Sequence, residues 1–200
     1  MSLFLDMQIE IKALIMFDKR LQIIQDFINK IAGPAAEEFG LALQDKAKLY
    51  RYKNLIKIME KAKKYAERSN IDIKEIPLRT LIPIIECASL EDNENLAEKW
   101  AALIANAATR DSIRKLHPSY AQILKEMSPN DAFLLDAIYE TKQIIHWQNF
   151  KEKYSKENSL TLDEVDFSFW NLFRLGLIYN TRKELKKSEF SKNFMQACKI

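Results

Sequence analysis

Arg110 and His117 close a short segment, Arg110-Asp111-Ser112-Ile113-Arg114-Lys115-Leu116-His117, whose two ends carry the residue types for metal-free phosphodiester chemistry. Cleaving RNA without a metal needs a general base and a cation that stabilises the charge building on phosphate; imidazole and guanidinium suit those tasks. His117 as base and Arg110 as cation are therefore the candidate catalytic pair for such chemistry. The pair needs one shared cleft, expected between the helix of Trp100 and the helix opened by Pro118, across a dimer. The same His117-Pro118 step also suits plain packing at a helix start.

A second constellation is electrostatic. Lys46, Tyr50, Lys53, Lys57, Lys61, Lys64 and Arg68 recur at steps of 4, 3, 4, 4, 3 and 4. On a helix they fall within roughly 80° of one another. From Asp45 to Arg68 nine basic residues stand against three acidic ones. Such a row can neutralise phosphates or meet an anionic lipid surface, and Tyr50 can stack a base. Lysine outnumbers arginine, which speaks against specific readout, and a solvated face or the mate of an acidic protein surface explains the row equally simply.

The acidic runs need no metal. Glu91, Asp92, Glu94 and Glu98 sit where a helix starts, and free N–H groups with the macrodipole favour carboxylates there. Asp163, Glu164 and Asp166 have the same explanation. They would also bring three carboxylates toward phosphates if their helix entered a DNA groove, so protein contact or a structural cap is the better expectation for that helix. Cys87, Cys198, His117 and His146 lack the local spacing of zinc ligands. Gly33, Gly40 and Gly176 never come two to a loop, which excludes the glycine-rich phosphate loops. Neither a metal nor a cofactor is expected.

The elements that must hold these groups are helical. Of 200 residues, 48% are hydrophobic, enough for a sizeable core, while only 3 are glycine and 5 proline. Sheets and hairpins need more turn residues than that. Net charge is +3 from 31 basic and 28 acidic residues. No apolar run is long enough to span a membrane, no leader is recognisable, and two cysteines make no disulfide framework, so the cytoplasm is the expected compartment.

Met7, Ile11, Leu14, Phe17, Leu21, Ile24, Ile28 and Ile31 make one helical stripe, and Gly33-Pro34 stops that helix and starts the next. The second helix is expected to run from Pro34 to about Arg68 with Phe39, Ala42, Leu49, Tyr52, Ile56, Met59, Ala62 and Ala66 inward, giving a long antiparallel hairpin. Phe4, Leu5, Ile9 and Ile23 lie off the first stripe, which points to burial on two sides and a homo-oligomer formed through the N-terminal helices. After an extended connector at 71–76, Pro83 should kink or split the next helix. A helix through Trp100, Leu103, Ile104 and Ala107 follows, with alanines 101, 102, 105 and 108 permitting close approach. Pro118 and Pro129 open two more, Ser128 serving as N-cap of the latter. Beyond it come a helix near Trp147, another with a Thr161/Glu164 capping box, and a β-prone Ile178-Tyr179-Asn180-Thr181. The fold class is therefore all-α: a long helical hairpin and bundle over 1–127, then a winged-helix-like tail with a short hairpin over 128–200.

Two resemblances add context. The runs Ile31–Gly40 and Leu49–Asn54, Leu81–Asp92 and Trp100–Ala107, His117–Tyr120 with Ile123-Leu124 and Ser128-Pro129, and finally Leu175–Ile178 and Phe194–Cys198, resemble the Abi-alpha family of bacterial proteins linked to abortive phage infection. Similar tails often carry a glycine where this chain has Ser191. The resemblance implies a phage-defence setting and supplies no catalytic residues. Separately, the R-x6-H segment ending at His117 resembles the active motif of HEPN ribonucleases, all-helical toxins in which His and Arg act on the RNA 2′-hydroxyl and scissile phosphate. The expectation is a non-enzymatic protein-interaction module with a protein partner; the alternatives are that ribonuclease, or nucleic-acid or anionic-surface binding through 46–68.

Overall fold

The computed structural model describes residues 27, 30, 31, 46–69, 72–109, 116–181 and 184–199. Most of the expected first helix, the Gly33-Pro34 turn, the N-terminal oligomer surface and Arg110 lie outside the described residues. Eight helices and one two-stranded sheet are described: α1 (Lys46–Arg68), α2 (Leu78–Ala88), α3 (Glu94–Ala107), α4 (Tyr120–Glu126), α5 (Pro129–Glu140), α6 (Trp147–Asn158), α7 (Leu162–Arg174), β1 (Ile178–Asn180), β2 (Leu185–Lys187) and α8 (Glu189–Ala197). The mainly helical class is as the composition indicates. Among the described residues no helix is long and apolar enough to cross a membrane.

The core is built around α3, which packs on α1, α2, α4, α5 and α8. Ten of its fourteen residues are buried. A helix buried over most of its circumference has to be central, and Ala101, Ala102, Ala105 and Ala107 let its neighbours approach closely. Asn93 starts it, its Oδ1 accepting from the N–H groups of Asn95 and Leu96. On α1, Ile56, Met59, Ala62 and Ala66 are buried as the stripe requires and Tyr52 is partly buried, while Leu55 and Ile58 widen that face; Phe39, Ala42 and the Leu49 side chain lie outside the described residues. Ile31 is buried as well, its carbonyl accepting from Ile76 N–H at 3.0 Å. Phe27, one turn earlier and off the expected stripe, joins it in the core.

Pro83 does not split its helix, since α2 runs through it without a break. Pro83 and Arg79 are both exposed, so water can take the carbonyl that proline leaves unbonded, while Leu81, Ile84, Ile85 and Ala88 anchor the other side in the core. The helix after Pro118 begins two residues later than expected, at Tyr120.

Two of the later helices start in capping boxes, Ser128 with Asp131 on α5 and Thr161 with Glu164 on α7. β1 and β2 pair antiparallel in the register Ile178↔Lys187, Tyr179↔Lys186 and Asn180↔Leu185, and Ile145 bridges to Leu185 from the segment between α5 and α6. Ser191 falls in the first turn of α8, fully buried, its N–H bonded to the Ser188 cap and its hydroxyl against Tyr139.

α7 ends in a Schellman motif. Leu177 N–H reaches Leu172 O and Gly176 N–H reaches Phe173 O, both at 3.0 Å, with Gly176 at φ +70°. A Cβ at Gly176 would meet nothing within 4 Å, so Gly176→Ala should cost only the left-handed strain, about 1 kcal/mol. Urea midpoints check this, with Gly176→Asn expected to fall between alanine and wild type.

Candidate functional site

α7 is fixed on its inner side by several independent contacts. Val165, Phe169 and Leu172 are buried, and Phe169 stacks on Trp147 at a centroid distance of 4.2 Å. Asn171 Nδ2 donates to Glu126 O (2.9 Å) and to Asp131 Oδ2 (2.8 Å), clamping α7 to the α4–α5 junction. The Asp131 carboxylate, itself 3% exposed, also accepts from Ser128 N–H at 2.7 Å. Lys151 pairs with Asp166 and ties α6 to the same helix. The hairpin is pinned by Lys187, whose ammonium donates to the Tyr139 and Thr141 carbonyls at the end of α5 and lies 4.9 Å over the Tyr139 ring. Burial holds that ammonium below the usual lysine range.

The outer side of this rigid helix is aromatic. Phe167 is 74% exposed and Trp170 61%, with Phe173 and Leu162 beside them. Trp170 and Phe173 meet edge to face at 5.8 Å, so the rings are held together without being covered. Phe167 also borders a shallow hollow formed by Ser128, Asn130, Asp131, Glu164 and Asn171. Exposed apolar clusters rimmed by polar groups mark contact surfaces. Sequence reasoning missed this face. The sequence signals only that this helix is apolar on two sides, Phe167, Trp170 and Phe173 on one and Val165, Phe169 and Leu172 on the other; the structure shows that the second is the buried one.

The basic row and the acidic start of α3 prove to be partners. Tyr50 donates its hydroxyl to Asp92 Oδ2 at 2.7 Å, Lys57 pairs with Glu94, and Lys61 reaches Glu94 at 2.6 Å and Glu98 at 3.2 Å. Arg51 turns to the end of α2 instead, its Nε donating to Ser89 Oγ and its Nη2 to Glu86 O. Lys53, Lys64 and Arg68 are exposed, without an ion pair among the described residues. Lys46 begins α1, and its side chain lies outside the described residues.

Hydrogen bonds from Lys57 and Lys61 hold the Glu94 carboxyl down at about 2, against an ordinary value of 4.5. A carboxylate with a depressed pKa stabilises the folded state above its unfolded pKa and loses that contribution as protonation proceeds. The α1–α3 seam should therefore weaken as pH falls from about 4.5 toward about 2. Glu94→Gln should remove that part of the acid dependence of the urea midpoint, and an unchanged slope would refute the assignment.

His117 lies in the turn that precedes α4. Its Nδ1 is 2.6 Å from Ser119 Oγ and accepts from Ser119 N–H, and its ring stands edge-on to Phe190 at 5.5 Å. The other half of the candidate catalytic pair, Arg110, falls outside the described residues. Burial pushes both free thiols, Cys87 and Cys198, above the usual range. Among the described residues no three His, Cys, Asp or Glu side chains gather as a metal site.

A cavity of about 390 Å³ opens between α1, α3 and α5, bordered by Tyr65, Arg68, Asn95, Glu98 and a buried ion pair of Lys99 with Asp136.

Fold and surface together define a mainly helical protein whose C-terminal helices and hairpin display a rigid aromatic face. The family description abortive infection alpha matches residues 48–198, three quarters of the chain. The chain belongs to the abortive infection alpha family. The match takes in every block of the sequence resemblance from Leu49 onward; the run Ile31–Gly40 precedes it. No curated protein and no solved structure matches the chain.

Proposed function

We propose that this protein is a non-enzymatic interaction module of a phage-defence system, with residues 128–200 forming a winged-helix-like unit on a helical domain of 1–127. The exposure of Phe167 and Trp170 on α7 carries this reading. α7 is the helix before the hairpin, the position that enters the groove in winged helices that bind DNA. Here its surface offers aromatic rings, with Asp163 and Glu164 at its first turn. Phosphates favour cations there, whereas protein partners favour tryptophan and phenylalanine. The family supplies the defence setting. The self-pairing of Lys57 and Lys61 with Glu94 and Glu98 fits a non-nucleic-acid role for α1.

Bacteria expressing wild type, Trp170→Glu or His117→Ala and challenged with phage test the proposal. Wild type and His117→Ala should protect equally and leave RNA intact, while Trp170→Glu, folded by circular dichroism, should lose protection at least about tenfold in plaque count. RNA cleavage that vanishes only in His117→Ala would favour the ribonuclease instead. Absence of protection by the wild type would remove the defence setting.

A further inference from the structure

We propose that the partner of the α7 face is a second copy of the same chain, docked antiparallel about a twofold axis. This rests on the interaction reading above and names its occupant. Asp163, Phe167, Trp170 and Arg174 follow at steps of 4, 3 and 4, which places them within about 60° of one another on the helix. Along the axis the order is acid, aromatic, aromatic, base. The midpoint of 163 and 174 coincides with that of 167 and 170, between Ser168 and Phe169.

That symmetry makes the stripe complementary to itself when reversed. With the twofold axis at the midpoint, Asp163 of each copy faces Arg174 of the other, and Phe167 faces Trp170. A closed dimer of identical chains requires this kind of self-matching surface. Antiparallel helices also set each positive N-terminus beside a negative C-terminus.

The charged ends are available. Asp163 is exposed, with no hydrogen bond or ion pair among the described residues. Arg174 is oriented by Glu126 Oε2, 2.7 Å from its Nη1, and by Asn171 Oδ1, yet its side chain stays 59% exposed. These contacts fix the guanidinium in advance, so meeting a second carboxylate orders little further.

The area sets the size class of the interface. Phe167, Trp170 and Phe173 together expose on the order of 400 Å² of ring surface, so a symmetric pair covers roughly twice that before its rim is added. This lies at the low end for specific interfaces and corresponds to a reversible dimer, populated at micromolar to submillimolar concentration.

Sedimentation equilibrium on the full chain, with charge-reversed variants, tests the pairing. Asp163→Arg sets two arginines face to face at both ends, and Arg174→Asp sets two aspartates, so each variant alone should weaken the dimer at least about tenfold. Mixed in equal amounts they should restore a heterodimer to within about threefold of the wild-type affinity, because each end again joins opposite charges. Trp170→Glu should be monomeric throughout. Recovery in the mixture establishes the antiparallel register and cannot come from misfolding. A wild type that stays monomeric overturns the self-pairing, and if Trp170→Glu still loses phage protection, the face serves a different protein. A dimer indifferent to both charge reversals overturns the proposal too, placing association elsewhere, as on the N-terminal helices. A dimer that follows the charge pattern while Trp170→Glu still protects upholds the pairing and removes the defence role of the face.

Discussion

Trp100→Ala should lower the stability of the protein by about 3–5 kcal/mol, read as a shift of the urea midpoint at unchanged slope. Trp100 is 1% exposed and is among the largest fully buried side chains described. The cost depends on how far the surroundings can collapse into the space left behind, and here they have little to offer. Its neighbours at helical spacing are Leu96, Ala97, Leu103 and Ile104, of which the three large ones are already buried, and α3 is held by five other helices at once. The cavity should therefore persist, adding its own term to the lost transfer energy of the indole. Trp100→Phe keeps most of the volume and should cost less than half as much. A Trp100→Ala midpoint within about 1 kcal/mol of wild type would show that α3 is not the centre of the core.

The contrast between what the sequence reveals and what it hides follows the range of the interactions. The Ser128 N-cap and the Thr161 capping box are local, each settled by residues within a few positions, and both are legible in the chain. The buried runs of α1 and α3 are legible through periodicity. By contrast, the union of Lys57 and Lys61 with Glu94 and Glu98 depends on α1 lying along α3, which no local pattern reports, so a basic row and an acidic start look like two separate surface features. Phe167 and Trp170 are hidden for another reason. A helix with apolar residues on both sides shows that two faces are occupied, but not which one the protein itself covers; burial of Val165, Phe169 and Leu172 decides that. Pro83 shows the opposite failure, because a local rule for breaking helices yields when the unbonded carbonyl is exposed and packing holds the other side.

The ion pair of Lys99 and Asp136 was equally invisible in the sequence, and its rupture should have the second large effect. Lys99 is 7% exposed, and its Nζ lies 2.7 and 2.8 Å from the two carboxylate oxygens of Asp136. The pair joins α3 to α5 and so links the central helix to the C-terminal helices. Asp136→Ala leaves a buried ammonium without its paired carboxylate, a state that costs about 3–5 kcal/mol in comparable settings. The Asp136 side chain is 24% exposed and borders the cavity, so water can reach the stranded group, and the lower end of that range is expected. The double variant Lys99→Met/Asp136→Leu removes both charges together with their desolvation penalty, and should lie within about 1 kcal/mol of wild type or above it. A double-mutant cycle in urea should thus give strong coupling although the pair contributes little net stability. If Asp136→Ala unfolds like a surface substitution, within about 0.5 kcal/mol of wild type, Lys99 has an escape to solvent and the pair is no strut between α3 and α5.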